Sequence, residues 1–400
     1  MPDKVSGYVE NIISAGLAKG ARPTAATRVK LLENARALVY ALETPREALA
    51  RYSWAESSTY AAIQIASNCR VFKNLSEDDM PKSAVELAEA CGADPSMLSR
   101  ILKHLAAMGA IEEVGPHEYR RTGFTQAMCS TRFSESLQCM TDCITAGVLA
   151  LPAHLKKRDH QNPADGKHCA FQDGYKTKLG FFDYLKAHPT TGKQFNRFMT
   201  VCRKGRPSWM DPGFYPTETL FKDVDIHESR PLLVDIGGGL GHDIMEFHGR
   251  FPDAPGRLVL QDLPEVLEEA KKRVPSKIEL VPHNMFKMQP IKCARVYYLH
   301  HILHDWPDDI ARDILWNLIS ALEIGFSKVL IHEFVIPATD AHWESTSLDM
   351  VMMATFGARE RSEARWRKNI EVCGLKIVKI WTINNATESI IECEVPQKDS

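Results

Sequence analysis

No charge of one sign dominates this 400-residue chain, in which 49 Lys and Arg stand against 51 Asp and Glu for a net charge of -2. A surface that grips many phosphates needs a cationic excess, so a large nucleic-acid footprint is not expected. None of the ten cysteines forms a Cys-x-x-Cys pair, and the nearest two, Cys139 and Cys143, lack partners at metal-ligand spacing. That pattern predicts reduced thiols, a cytoplasmic location and no metal site. Long apolar runs are missing too. The stretch from Ala146 to Ala153 is too short to span a bilayer, and Met1-Pro2-Asp3-Lys4-Val5 starts no signal-peptide pattern. Neither secretion nor membrane insertion is expected.

A further absence is more specific. The run Val234-Asp235-Ile236-Gly237-Gly238-Gly239-Leu240-Gly241-His242 has glycines at Gly237, Gly239 and Gly241, whereas a dinucleotide fingerprint needs its third glycine where His242 stands. The spacing disfavours NAD. What is present is a buried-type strand from Pro231 that delivers a carboxylate, Asp235, and a glycine cluster to one sharp turn. A carboxylate there repels a pyrophosphate but can hold a cationic amino-acid moiety, such as the one S-adenosylmethionine carries. About twenty residues on, a second apolar strand, Arg257-Leu258-Val259-Leu260-Gln261, ends in Asp262, an acid placed to accept from both ribose hydroxyls.

With 44% hydrophobic residues the chain can bury a sizeable core and is expected to divide. Residues 1–150 read as a helical domain, 151–210 as a linker with substrate-lining helices and 211–400 as the cofactor-binding domain. Apolar residues recur at helical spacing over 25–42 and 59–71. The segment 82–105 predicts helix, turn, helix, with Asp94 as N-cap and Pro95 in the first helical position, and a hairpin wing follows at 111–122. This is a winged-helix outline. Its second helix offers Arg100 and Lys103 as its only firm cations, so packing and homodimerisation are expected of it in preference to DNA binding. Residues 153–178 are polar and pattern-poor and read as a linker or lid-like loop, and helical spacing returns from Phe181 to Arg203. Beyond Pro231, strands are expected near 232–236, 257–261, 278–282, 295–299, 328–333, 374–383 and 389–394, alternating with helices as in a mainly parallel sheet.

Ligands bind outside the carboxyl ends of such strands. The fourth strand runs into His300-His301-Ile302-Leu303-His304-Asp305-Trp306-Pro307, which places His304 and Asp305 at the crevice rim. An unperturbed histidine pKa of about 6.5 would leave His304 largely neutral and able to take a proton from a substrate hydroxyl. His300 and His304 are four apart, but on strand and loop, so the helical convergence of two metal ligands does not apply.

The stretch from Val234 to Glu394 resembles the plant caffeate-type and fungal S-adenosylmethionine-dependent O-methyltransferases. The resemblance is carried by the glycine run, Leu260-Gln261-Asp262-Leu263-Pro264, His304-Asp305-Trp306-Pro307-Asp308, Glu333 before Phe334-Val335-Ile336-Pro337, and Gly357-Ala358-Arg359-Glu360-Arg361. The N-terminal helices and winged helix fit the same family's dimerisation domain. The resemblance implies an α/β fold, a Rossmann-like class I methyltransferase sheet with an N-terminal α-helical winged-helix dimerisation domain. It implies that the chain is a homodimer whose partner molecule is a small hydroxylated aromatic or polyketide-like substrate of secondary metabolism. His304 would be the catalytic base, flanked and oriented by Glu333 and Glu360. Cofactor contacts would come from Asp235, Gly237, Gly239, Gly241, Asp262, Asn284, Met285 and His300, with Asn284 standing where the family usually has aspartate and His300 where it usually has Lys or Arg. Substrate walls are expected from Phe195, Met199, Trp209, Met352, Met353 and Phe356. The same fold hosts pericyclases that keep the cofactor while lacking the catalytic histidine; the alternative is therefore a pericyclase or dehydratase that binds S-adenosylmethionine without methyl transfer, and His304 argues against it.

Overall fold

A computed structural model describes residues 2–15, 22–202, 205–222, 224–384 and 388–397. The chain divides into two compact units, Met1–Ser134 and Glu135–Ser400, so the boundary precedes the expected one at 150.

In the first unit the turn chemistry acts as the sequence predicts. Asp94 accepts a hydrogen bond from the Met97 amide at 2.7 Å, with Pro95 opening the helix Pro95–Ala107. Ser83 and Glu86 form a capping box at the preceding helix, Ala84–Cys91. Leu98, Leu102 and Leu105 bury one stripe of the second helix. Strands β1 (Lys82–Ser83), β2 (Glu112–Gly115) and β3 (Glu118–Arg120) make the wing in the order β1-β3-β2. Lys103, one of the two cations of the second helix, pairs with Glu113 of the wing, which leaves that helix a poor phosphate reader. Ahead of the wing, the 18-residue helix Ala25–Leu42 buries no residue at all, and Val39, Tyr40, Leu42, Leu49, Tyr52 and Trp54 are exposed along this region.

The second unit contains the seven-stranded sheet. Its strands are β4 (Pro231–Ile236), β5 (Arg257–Asp262), β6 (Ile278–Pro282), β7 (Val296–His300), β8 (Lys328–Glu333), β11 (Lys376–Trp381) and β12 (Ser389–Glu394); the two-residue strands β9 (Val335–Ile336) and β10 (Arg361–Ser362) pair with each other. The sheet order is β11-β12-β8-β7-β4-β5-β6, parallel except that β12 runs antiparallel to both its neighbours. All six residues of β4 are buried, as a strand covered on both faces requires. Alternation sorts the side chains into two cores. Val234, Tyr297, Leu299 and Ile331 face one, with Ile314 and Trp366; Leu233, Leu260, Tyr298 and Leu330 face the other, with Ile244 and Phe247. The chain proceeds from β4 through β5 to β6, then returns to the other side of β4 as β7. That reversal opens a crevice at the carboxyl ends of β4 and β7, whose register sets Asp235 beside Tyr298.

The segment read as a polar loop is partly helical, since Ala170–Tyr175 forms a short helix whose Phe171 is fully buried against Tyr175, Phe181 and Tyr184. Six residues are too few for helical periodicity to declare itself. Helical spacing from Phe181 corresponds to two helices, Phe181–Ala187 and Pro189–Cys202, and Arg203 lies outside the described residues. Among the described residues no helix is long and apolar enough to cross a membrane, and the described cysteines are free thiols.

Candidate active site

The glycine side of the crevice is built by what its residues lack. Gly237 has a φ of +67°, and a Cβ there would lie 2.6 Å from Ile302 Cδ1. A Cβ on Gly238 would lie 2.4 Å from Asp235 Oδ2 and 2.5 Å from Leu260 Cδ1. Side chains at either position would fill the space over the strand end. The turn is tied down by Gln261, whose carbonyl accepts from the Gly237 and Gly238 amides at 2.8 and 3.2 Å. Asp262 adds two bonds, with Oδ2 accepting from the Gly239 amide at 2.8 Å and Oδ1 from the Leu263 amide at 2.7 Å. Each carboxylate oxygen retains a lone pair for a ligand hydroxyl. Burial raises the Asp262 pKa against the pull of those amides. Asp235 is buried at the end of β4 directly under the glycines.

Asn284 and Met285 are held by a pair that sequence reading missed. Gln261 and Gln289 exchange two amide hydrogen bonds, both 2.8 Å, in the interior and so fix the 284–289 segment to β5. The Asn284 side-chain oxygen accepts from the Phe286 amide at 3.0 Å, closing a local turn, while Met285 packs against the core. His300, in place of the expected cation, meets Asp243 at 2.9 Å and stacks on His332 with ring centres 4.0 Å apart. His332 in turn meets the Tyr298 hydroxyl at 2.7 Å. Asp243 and His332 carried no signal in the sequence.

The other side is built from buried charge. His304 sits in a short turn, Leu303–Asp305, and its Nδ1 donates to Glu360 Oε1 at 2.7 Å. Glu333 stands differently. Its Oε1 accepts from the backbone amides of Ile302, Leu303 and His304 at 2.9, 2.8 and 3.4 Å, and its Oε2 is 3.7 Å from His304 Nδ1. Glu360 therefore orients the ring and Glu333 shapes the backbone that carries it. The far nitrogen, Nε2, lies 3.5 Å from Asp305 Oδ1. Arg361, fully buried, secures the turn by donating to the Leu303 and Trp306 carbonyls, each at 2.7 Å, and to Asp308 at 2.8 Å. A buried guanidinium must find such acceptors, but adjacency to Glu360 alone did not reveal them.

The protonation state of His304 departs from the expectation of a neutral ring. Burial disfavours its charge, yet the carboxylates of Glu333, Glu360 and Asp305 outweigh burial and raise its pKa to about 10. Burial pushes Asp305 up to about 6 and Glu333 upward as well. The surrounding acids thus favour the imidazolium form of His304. Ligand atoms of two trios, His304 with Glu333 and Glu360, and His300 with His301 and Glu388, lie within 4.8 Å of one another. In the first the short contact is the hydrogen bond of the histidine itself. In the second Glu388 carries the Arg206 guanidinium, whose charge opposes a cation.

The expected substrate walls separate. Phe195, Met352 and Phe356 share one cluster with Phe181. Met353 turns to a different cluster with Leu151 and Ala354, on another side of its helix, Trp343–Phe356. Trp209 is 1% exposed and stacks on Tyr298 with ring centres 5.2 Å apart, so it is a core residue beneath the sheet and not a wall. Met199 is half-buried.

Sheet order, glycine turn and histidine-carboxylate cluster together define a class I methyltransferase fold. A family model for an O-methyltransferase domain matches residues 160–376, and one for an O-methyltransferase dimerisation domain matches residues 56–134. The chain is 34% identical over 371 residues to the O-methyltransferase mpaG of Penicillium brevicompactum, covering 92% of this chain and 93% of that one. It is 33% identical over 338 residues to the demethylsterigmatocystin 6-O-methyltransferase of Aspergillus parasiticus, covering 84% and 85%. Among solved structures, LepI in complex with SAM superposes with a TM-score of 0.87 at 28% identity, over 99% of this chain and 100% of that one, and a chain described as a pericyclic reaction enzyme superposes equally well. The chain belongs to the O-methyltransferase family and is an S-adenosylmethionine-dependent enzyme of it.

Proposed function

We propose that the protein methylates a hydroxyl of an aromatic or polyketide-like small molecule in secondary metabolism, with His304 as general base. The observation that carries this reading is the orientation of His304. Its Nδ1 is committed to Glu360 at 2.7 Å, which leaves Nε2, beside Asp305, as the atom that meets a substrate proton. Asp235, Gly237, Gly239, Gly241, Asp262, Asn284, Met285 and His300 would hold S-adenosylmethionine, and the glycine cradle, which a single Cβ would fill, fits that group. When bound, the cofactor would supply a sulfonium methyl that an oxygen attacks in line, with the neutral thioether as the leaving group. Positive charge in the adjoining cradle would lower the His304 pKa, because like charges disfavour the imidazolium, and its proton would pass to solvent before the substrate closes the site. Gly237 lies against Ile302, only two residues before His304, so the two sites are close enough for that effect. Nε2 then takes the proton of the hydroxyl and Glu360 stabilises the imidazolium so formed. Phe195, Met352 and Phe356 supply an apolar wall for a flat ligand.

Incubation with methyl-labelled S-adenosylmethionine and a panel of hydroxyaromatics tests the reaction. The expected product is heavier by one methylene. The likeness to pericyclic enzymes favours one competing reading, and an isomerised product of unchanged mass with the cofactor intact would establish it instead.

The protein is further proposed to be a homodimer that works in the cytoplasm. The unburied apolar faces of residues 25–55 support self-association, since patches of this kind mark interfaces. Light scattering at micromolar concentration should give twice the 45.0 kDa chain mass, and a monomer would refute it.

A further inference from the structure

A second histidine stands beside the proposed base. His301 has its ring centre 4.8 Å from that of His304 and 4.6 Å from that of His300. Its backbone takes a φ of +53°, unusual for a residue with a branched ring, and its amide donates to the His332 carbonyl at 3.2 Å. Strain of this sort, about 1–3 kcal/mol, persists where the surroundings impose it. The surroundings are explicit. His301 Nε2 is 3.0 Å from Glu388 Oε1, and Glu388 is 5% exposed, one residue before β12 at the carboxyl edge of β8. The same carboxylate oxygen accepts from Arg206 Nη1, while Arg206 Nη2 meets Glu344 at 2.5 Å and the guanidinium lies over the Phe334 ring.

These contacts fix the tautomer. A carboxylate paired with arginine is ionised and can only accept, so Nε2 of His301 carries the hydrogen. Burial, followed by the charges of His300, His304, Arg206 and His332, holds the His301 pKa well below its ordinary value, so the ring is neutral. Nδ1 is then a bare lone pair. The side-chain hydrogen bond of His301 is made at Nε2, and the side chain is 12% exposed.

We infer that His301, set by Glu388 and Arg206, is a specificity residue whose Nδ1 accepts a hydrogen bond from a second hydroxyl of the substrate, close to the one that His304 deprotonates. The preferred substrate class is a dihydroxyaromatic. This rests on the proposed reaction only in placing the substrate beside His304. A histidine that served merely as a strut would need no open acceptor. The two imidazoles divide the work: the one surrounded by acids moves a proton, and the one held neutral reads a neighbouring oxygen.

Binding of phenol, catechol and resorcinol to the protein saturated with S-adenosylhomocysteine, followed by ligand-observed NMR, tests the assignment without turnover. One diol should bind about tenfold more tightly than phenol, the margin of one well-made hydrogen bond. His301→Phe should erase that margin while phenol binding persists, and His301→Asn, which keeps an acceptor, should restore part of it. Equal affinities in the parent protein, or an unchanged margin in His301→Phe, would overturn the inference, and so would a change confined to Tm. A diol margin without any methyl transfer would count against the reaction alone, and methyl transfer without the margin against His301 alone.

Discussion

Two loops leave adjacent strands at the same edge of the sheet, and they are made in opposite ways. The turn after β4 works by omission, with space left over the strand end because Gly237 and Gly238 bring no side chains. The turn after β7 works by accumulation, with His304 enclosed by Glu333, Glu360 and Asp305 and clamped by Arg361. In the proposed reaction the first would select a ligand by space and the second would set the reactivity of one nitrogen. Damage to the two should therefore appear in different measurements.

The largest expected effect tests that division at the base. His304→Ala should lower methyl transfer by about a hundredfold to ten-thousandfold while leaving cofactor affinity nearly intact. Calorimetry with S-adenosylhomocysteine alongside kcat measures both. A comparable loss of cofactor affinity would show that the two loops are one site and not two.

Gly238→Ala is the converse. Its new Cβ would lie 2.4 Å from Asp235 Oδ2 and 2.5 Å from Leu260 Cδ1, and all these neighbours are buried. Overpacking of that kind costs about 1–3 kcal/mol, so cofactor Kd should rise about tenfold to a hundredfold. The pH profile of whatever turnover remains should stay in place. A displaced profile would mean that the cradle also sets the charge of His304 in the free enzyme.

The contrast also explains what could be read from the chain. The cradle is contiguous, and its strand is a run of apolar residues ending in glycines, so Asp235, the glycines and Asp262 stand in the positions expected. The winged helix was equally legible because Asp94-Pro95 and Ser83 with Glu86 are local signals. The base site joins residues from three loops, and only family resemblance linked His304 to Glu333 and Glu360. Resemblance gave no means of assigning the hydrogen bond to Glu360 and the backbone nest to Glu333, or of seeing that three acids would keep His304 charged. Trp209 misled because an aromatic side chain fills a core as readily as it lines a pocket, and tertiary stacking on Tyr298 decided the matter. Met352 and Met353 adjoin in sequence, yet neighbours on a helix point about 100° apart and so serve different clusters.

The smallest expected effect sharpens the electrostatic half of the comparison. Glu360→Gln keeps an oxygen that can accept from His304 Nδ1 but removes a negative charge that favours the imidazolium. The sign follows directly. With one acid fewer, the His304 pKa falls below its value of about 10, and the neutral base is available at lower pH. The ascending limb of kcat/KM against pH, which reports the free enzyme, should move down by on the order of one unit. The maximal rate should fall less than in His304→Ala, because the ring remains and Glu333 still holds its turn. A limb that stayed in place would mean that Glu333 and Asp305 alone set the charge of the histidine. One that moved upward would contradict the part given to Glu360 in favouring the imidazolium and return it to a purely structural one.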